Sequence, residues 1–401
     1  MTPLRVLVVA GDPSGDLAAA ELIAALRRAS GPVPPRFFGA GGPAMAAAGV
    51  PLRHELTGRS VIGLEILRQV RWFCRVFDDL RQVAREQVPD VVLGVDYAGF
   101  NLRLASALRR MADQGSGPFA NWRPRIIQYI SPQVWASRPG RALRLERTHD
   151  RLLAILPFEV AWYAQRAPGL PVTFVGHPIV DRHALAPPPL EVEPPQEGPP
   201  VVALLPGSRP GELRRHLPVM LPAAQRVFQA TGARLRLVLA RESLRTVAAP
   251  LLTAHPEVAV QVGNLDAVLR TATAALASTG TVTLECAWYG VPTVALYRTS
   301  RLTFEIGRRI VTVPSLAMPN LLAGEAVLPE FVQHFATPQA LSEALLRFLR
   351  DPDLRQTIRT RLRAVARSLG TPGTADRAAA AILECVASPP RDRSRAGKPP
   401  R

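Results

Sequence analysis

An apolar run, Val91-Val92-Leu93-Gly94-Val95, ends in a carboxylate, Asp96, and passes into Tyr97-Ala98-Gly99-Phe100-Asn101. A carboxylate at a strand end can deprotonate a hydroxyl in a transferase site. The competing reading of Asp96 is a turn residue or helix cap. The second half of the chain offers different chemistry. Val201 to Pro206 runs into Gly207-Ser208-Arg209, and Ala274 to Ala277 runs into Ser278-Thr279-Gly280-Thr281-Val282-Thr283-Leu284-Glu285. Hydroxyls and backbone N–H groups converging on a helix start suit phosphate. Arg209 can clamp a diphosphate bidentately or stand as a plain surface arginine. Glu285 can accept hydrogen bonds from ribose hydroxyls or act as a capping-box glutamate. Ligands of open α/β sheets bind outside the carboxyl ends of strands. A base in one half and a phosphate cradle in the other point to group transfer from a nucleotide donor.

Three further segments carry weaker signals. Gly11-Asp12-Pro13-Ser14-Gly15-Asp16 follows the first strand and opens a helix. Asp16 or Ser14 caps that helix, and the pairing of glycines with acids leaves room for a ligand role as well. Gly39-Ala40-Gly41-Gly42-Pro43-Ala44 matches G-x-G-x-x-A. It follows the second strand, and no later strand ending in an acid supports it, so it reads as a tight turn into a helix. From Ile62 to Leu80, Ile66, Val70, Phe73, Phe77 and Leu80 share one helical face, widened by Leu67 and Trp72, with Arg68, Arg71 and Arg75 alongside. Such a helix either packs on the core with a solvated basic side or lies on an anionic interface.

These residues need strands to present them, and strand and helix patterns alternate throughout, as in parallel α/β proteins. The patterning predicts strands at Val6–Ala10, Arg36–Gly39, Val91–Val95, Ile126–Ile130, Arg151–Leu156 and Val172–Val175, with helices at Ala18–Ala29 and Ile66–Glu86. Ala186–Pro200 is proline-rich and reads as a semi-rigid linker. Strands restart near Val201–Leu205, Leu235–Leu239, Val258–Gln261, Ala274–Ala277 and Thr293–Leu296, and helices follow from Pro338 to Ala387. The expected architecture is two doubly wound, Rossmann-like domains, 1–185 and 201–387, facing a central cleft. The last helices are free to pack back on the first domain, and the basic tail 388–401 is expected to be disordered.

The bulk composition narrows the function classes. At 401 residues and 47% hydrophobic the chain suits two domains. No apolar stretch reaches the roughly 18 residues of a membrane span, and the start lacks a signal-peptide pattern. Cys74, Cys286 and Cys385 are scattered, as in a reducing compartment, and the histidines show no metal spacing. The net charge of +17 is carried mostly by arginine. It reflects either polyanion contact or coding bias. Aromatics at 6% and the absence of a binding motif argue against nucleic acid as a partner.

Taken together, Ala10–Asp16, Phe38–Met45, Pro89–Leu104, Tyr129–Gly140, Ile155–Tyr163, Phe174–Asp181, Leu204–Glu212, Ala277–Glu285 and Leu316–Glu330 resemble the lipid-A-disaccharide synthase family, bacterial glycosyltransferases of the GT-B type. The resemblance covers about Leu4 to Val386. It implies inverting transfer from UDP-2,3-diacylglucosamine to 2,3-diacylglucosamine 1-phosphate (lipid X), giving the β-1,6-linked disaccharide 1-phosphate and UDP, with no cofactor and no divalent metal. By that analogy Asp96 is the general base, and Asp12, Ser14 and Asn101 line the acceptor side. Arg209, Ser278, Thr279, Gly280, Thr281, Thr283, Glu285 and Asn320 hold UDP, and in the family's intertwined homodimers the partner chain can supply Asn320. The resemblance also favours the interface reading of Arg68, Arg71, Trp72, Phe73 and Arg75. It places the protein in the cytoplasm, peripheral on the inner face of the inner membrane.

Three positions depart from the family pattern. Asp12 stands for a usual Glu, Gly99 for a usual second acid, and Glu325 for a residue that is often basic. Alternative functions are another GT-B enzyme on a UDP-sugar, such as a lipid glycosyltransferase or a UDP-GlcNAc 2-epimerase, and a non-catalytic homologue that binds UDP or membranes.

Overall fold

The computed structural model describes residues 2–57, 66–115, 119, 121–184 and 198–391, with residues 66–70 described by backbone alone. The expected linker therefore lies outside the described residues except for 198–200, as does the tail from 392 onward. The chain divides into two compact units, Met1–Arg182 with Leu369–Arg401, and His183–Ser368.

The first unit is built on seven parallel strands: β1 Arg5–Ala10, β2 Arg36–Gly41, β3 Leu52–Glu55, β4 Val91–Val95, β5 Arg125–Tyr129, β6 Arg151–Ala154 and β7 Val172–Phe174. Their spatial order is β3-β2-β1-β4-β5-β6-β7. Continuous apolar runs such as Val6–Ala10 and Val91–Val95 form central strands because helices cover both faces and every residue of the run is buried. Helix Pro13–Ala29 packs Leu22, Ile23 and Leu26 into one core with Ala378, Ala379 and Ile382 of helix Thr374–Ala387. That C-terminal helix is anchored at its start by Asp181. Its Oδ1 accepts from the Gly373 and Thr374 amides at 2.7 and 3.1 Å, and its Oδ2 from the Ala375 amide at 3.0 Å.

The second unit repeats the plan with β8 Val201–Leu205, β9 Arg234–Leu239, β10 Val258–Val262, β11 Ala274–Ser278, β12 Thr293–Tyr297 and β13 Glu330–Val332, ordered β10-β9-β8-β11-β12-β13. Each sheet reverses its winding at one point, between β1 and β4 in the first and between β8 and β11 in the second. A ligand crevice belongs at such a switch point, outside the carboxyl ends of the two strands.

Three expectations are corrected. Strands β3 and β13 were not foreseen. Both are short edge strands, and they lack the apolar runs of central strands. The tail is ordered at its beginning. The Arg391 guanidinium donates to the Glu146 and His149 carbonyls at 2.9 and 3.0 Å, satisfying the end of helix Arg141–Thr148. The basic helix, Ile66–Gln87, is no pure interface element, because Val76, Leu80 and Ala84 on it are core residues.

Candidate active site

Asp96 directly follows β4, at the switch point of the first sheet. Asp96 and Tyr97 both have left-handed backbones, with φ of 48° and 46°. Each such residue costs about 1–3 kcal/mol unless its surroundings fix it. Here they do. The Asp96 amide donates to the Tyr129 carbonyl at 2.9 Å. The Asp96 carbonyl accepts from Asn101 Nδ2 at 2.9 Å and from Gln128 Nε2 at 2.8 Å. Both amide side chains are buried. The loop after β1 completes the floor. A Cβ on Gly11 would lie 2.1 Å from the Tyr97 ring, so only glycine lets that ring cover the end of β1. Gly15 packs on Asp96 itself, its Cβ position being 3.2 Å from the Asp96 Cβ.

The acceptor-side loop residues have mixed fates. Asp12 Oδ1 accepts from the Gly15 amide at 2.6 Å and caps helix Pro13–Ala29. Asp16 is buried and holds the Gly42, Ala44 and Met45 amides at 2.7, 2.8 and 3.2 Å, capping helix Pro43–Ala47. Ser14 is exposed. Asn101 stands behind the carboxylate. It is buried in helix Ala98–Asp113, where its amide braces Asp96 and also donates to the Val9 carbonyl at 3.2 Å, so it shapes the site from behind.

The sequence reading missed an apolar wall beside Asp96. Tyr97 stacks on Phe100 with centroids 5.5 Å apart, and Phe73 lies 6.4 and 6.5 Å from those rings. Phe77 closes the group at 5.8 Å from Phe100. Burial, with Asp12 nearby, pushes the Tyr97 phenol up to about 12, so it stays a neutral O–H. Of the proposed membrane-facing residues, Arg71 and Arg75 are exposed and Trp72 and Phe73 half-buried, while the Arg68 side chain lies outside the described residues.

The second unit presents its groups at its own switch point. Gly207-Ser208-Arg209 follows β8, and the Thr279-Gly280 turn follows β11. Glu212 Oε2 accepts from the Ser208 and Arg209 amides at 2.9 and 3.1 Å, so Glu212 occupies those donors and Arg209 offers its side chain. The Arg209 side chain is 73% exposed and 3.4 Å from Glu212. His216 ties the loop after β8 to the end of β12, donating from Nδ1 to the Pro206 carbonyl at 2.7 Å and accepting the Arg298 amide on Nε2 at 3.1 Å. Burial lowers its pKa and keeps it neutral.

Within the phosphate turn two hydroxyl residues are buried. Ser278 is the last residue of β11 and is buried. Thr283 is fully buried and donates its hydroxyl to the Gly280 carbonyl at 2.7 Å. The groups left to face an anion are Thr279, Thr281, Gly280 with its φ of 126°, and the start of helix Thr281–Trp288. Asn320 is buried. Its Nδ2 donates to the Leu328 carbonyl and Glu330 Oε1 at 2.8 and 2.6 Å, and its Oδ1 accepts from the Val327 and Leu328 amides at 2.9 and 2.8 Å. Those four bonds use the capacity of the amide, which therefore pins its own loop. Glu325 is exposed and lies 3.6 Å from Arg361.

Glu285 sits on the same helix as the turn, and His183 Nε2 is 2.7 Å from its Oε2. His183, Asp266 and Glu285 form a group of metal-capable side chains. The imidazole meets Glu285 with Nε2 and lies toward Asp266, at 3.6 Å, with Nδ1. Opposite ring nitrogens join the two carboxylates through the imidazole and do not chelate one ion between all three.

A family model described as lipid-A-disaccharide synthetase matches residues 6–382. A lipid-A-disaccharide synthase of Geobacter sulfurreducens is 37% identical over 396 residues, covering 96% of this chain and 98% of its own. The chain belongs to the lipid-A-disaccharide synthase family. One from Paraburkholderia phytofirmans is 36% identical over 366 residues, covering 89% of this chain and 90% of its own. The S. aureus MnaA-UDP co-structure aligns with a TM-score of 0.60 at 11% identity, covering 98% of this chain and all of that one. MurG of Acinetobacter baumannii aligns at 0.51 and 15%, covering 95% of this chain and all of that one. At such identities the likeness shows the fold alone, which is of the GT-B type. The lipid-A-disaccharide synthase family membership makes the protein a glycosyltransferase of lipid A disaccharide synthesis. Among the described residues no helix is long and apolar enough to cross a membrane.

Proposed function

We propose that the protein joins UDP-2,3-diacylglucosamine to 2,3-diacylglucosamine 1-phosphate with inversion, Asp96 acting as general base. The observation that carries this reading is the Asp96 turn: a carboxylate at a sheet switch point, on a left-handed backbone held by Asn101 and Gln128, beside the aromatic wall of Phe73, Tyr97 and Phe100. The carboxylate takes the proton of the acceptor 6-hydroxyl. The freed oxygen bonds to the anomeric carbon as the bond from that carbon to the diphosphate breaks, and UDP leaves with the electron pair. Its charge is met by Arg209 and the start of helix Thr281–Trp288, with Thr279 and Thr281 donating and Glu285 accepting from the ribose. The aromatic wall gives the acceptor's acyl chains an apolar surface next to the base. Asp12 and Ser14 border the acceptor, and no cofactor or metal takes part.

The enzyme works in the cytoplasm, peripheral on the inner face of the inner membrane, as a homodimer. Helix Arg301–Ile310 supports the membrane reading. It has no buried residue, and Leu302 and Ile306, 73% and 50% exposed, share a face flanked by Arg301, Arg308 and Arg309. The test is a mixed-micelle incubation of both substrates with chelator present. Equal release of UDP and disaccharide 1-phosphate supports the reading. UDP binding without product refutes it in favour of a non-catalytic homologue, and conversion of the UDP-sugar alone refutes it in favour of an epimerase. Sedimentation with anionic vesicles and light scattering test the membrane and the dimer.

A further inference from the structure

We infer that His183 is the positioning residue of the nucleotide site, holding the Glu285 carboxylate in the orientation that accepts the ribose hydroxyls of a nucleoside diphosphate. The inference rests on the proposed reading that Glu285 meets ribose, and it assigns that contact a second residue.

His183 closes the segment before the proline-rich stretch and lies 102 positions from Glu285 in sequence. Its side chain is 6% exposed, against 18% for Glu285. Its ring is held from several sides. The Trp288 ring stacks on it with centroids 5.6 Å apart and an interplanar angle of 28°. The Tyr289 ring meets it edge-on at 5.3 Å. On the Nδ1 side stand the Tyr289 hydroxyl at 3.2 Å and Asp266 Oδ2 at 3.6 Å. Arg270 lies over the Tyr289 ring at 5.3 Å.

These contacts fix the direction of the bond to Glu285. An ionised carboxylate only accepts, so at 2.7 Å the His183 Nε2 carries the proton and donates. Nδ1 then accepts from the Tyr289 hydroxyl in the neutral ring or faces Asp266 in the charged one. Nε2–H is present in both forms, so the hold on Glu285 survives either protonation state. Burial pushes the Tyr289 phenol up to about 12, which keeps it an O–H donor.

The consequence is chemical. A glutamate has three rotatable bonds, and ordering it for a ligand costs conformational entropy at the moment of binding. A charge-assisted bond on Oε2 removes that cost beforehand and leaves Oε1 for the ligand. A neighbouring pair of ribose hydroxyls is the group such a pre-set carboxylate receives, as acidic residues do in other doubly wound sheets. His183 touches neither phosphate nor sugar and acts only through Glu285.

The test compares calorimetric binding of UDP and 2′,3′-dideoxy-UDP to the full chain. The proteins are the wild type, His183→Ala, His183→Gln, His183→Asn, Glu285→Gln and the double variant His183→Ala/Glu285→Gln. The expected result is that His183→Ala weakens UDP by about tenfold, the scale of one lost charged hydrogen bond, and changes dideoxy-UDP by less than about threefold. Gln reaches the Nε2 position, so His183→Gln recovers UDP binding, whereas His183→Asn does not. The double variant binds UDP no more weakly than Glu285→Gln. If His183→Ala misfolds, the Gln and Asn pair still decides the matter. Equal losses for both nucleotides, or equal behaviour of Gln and Asn, overturn the inference while the ribose contact stands. A wild type that fails to distinguish UDP from its dideoxy form overturns the ribose reading of Glu285, and the inference with it.

Discussion

The side-chain amide of Asn101 donates at 2.9 Å to the carbonyl of Asp96, the residue whose backbone stands at a φ of 48°. With Gln128 Nε2 at 2.8 Å on the same oxygen, it sets the direction in which the Asp96 carboxylate leaves the strand. Asn101→Ala removes the brace and leaves the Val9 carbonyl without its amide partner as well. The expected outcome is a stability loss of about 1–3 kcal/mol. The fall in kcat should exceed any change in UDP affinity, read by denaturant unfolding, steady-state kinetics and calorimetry.

Gly15 has no room for a methyl group. Its Cβ position is 2.9 Å from Asp12 Oδ1 and 3.2 Å from the Asp96 Cβ. Alanine in a helix otherwise gains about 0.5–1 kcal/mol over glycine. Gly15→Ala is therefore expected to keep its melting temperature within a few degrees while kcat drops by about tenfold, because the carboxylate is displaced. Thermal scanning and turnover on one preparation check both halves.

Glu159 is fully buried beside Trp135, whose indole donates to it at 3.0 Å, and the Ile155 and Leu156 amides donate at 3.2 and 3.1 Å. Burial pushes its carboxyl up to about 7 despite those bonds. The unfolded chain has it near 4.5, so the folded state holds the proton more tightly between those values. Its contribution is complete below about pH 4.5 and is lost as pH rises through about 7, a swing of roughly 3 kcal/mol. His177 acts in the opposite sense. Burial lowers its pKa to about 3, so its contribution falls as pH drops below about 6.5. The difference between wild type and Glu159→Gln isolates the carboxyl. Relative to wild type, the variant is expected to gain stability as pH rises from 5 to 8, read from paired unfolding curves.

Asn320 is a structural residue within its own chain. Asn320→Ala removes the partner of the Leu328 amide and carbonyl and one of the two acceptors of the Val327 amide, which also donates to the Glu325 carbonyl at 3.0 Å. The expected stability loss is about 3–5 kcal/mol. The UDP affinity of the folded fraction should stay within about threefold of wild type. A large, selective loss of UDP affinity with intact stability would return Asn320 to the nucleotide site.

The fold was legible where runs are apolar and continuous. Val91–Val95 and Val201–Leu205 are central strands with the boundaries that the patterning predicts. Edge strands were not, because Leu52–Glu55 alternates half-buried with exposed residues and carries charges that a central strand could not hold. The turn residues were legible as turns, but their facing was not. Ser278 is buried because β11 runs one residue further than its apolar core, and Thr283 because it lies on the buried side of helix Thr281–Trp288 with Leu284 and Ala287. The bond between His183 and Glu285 has no local signature, since it joins residues brought together only by the fold. Asn101 and Gln128 were likewise unreadable as braces, because the order of β1, β4 and β5 decides what their amides reach.

The most direct measurement is the turnover of Asp96→Asn in mixed micelles with both acylated substrates, beside calorimetric UDP binding to the same protein. The account predicts a fall in kcat of roughly 10²–10⁴, the usual share of a general base, with UDP affinity within about threefold of wild type. Turnover within about tenfold of wild type would contradict the assignment of Asp96 as the base.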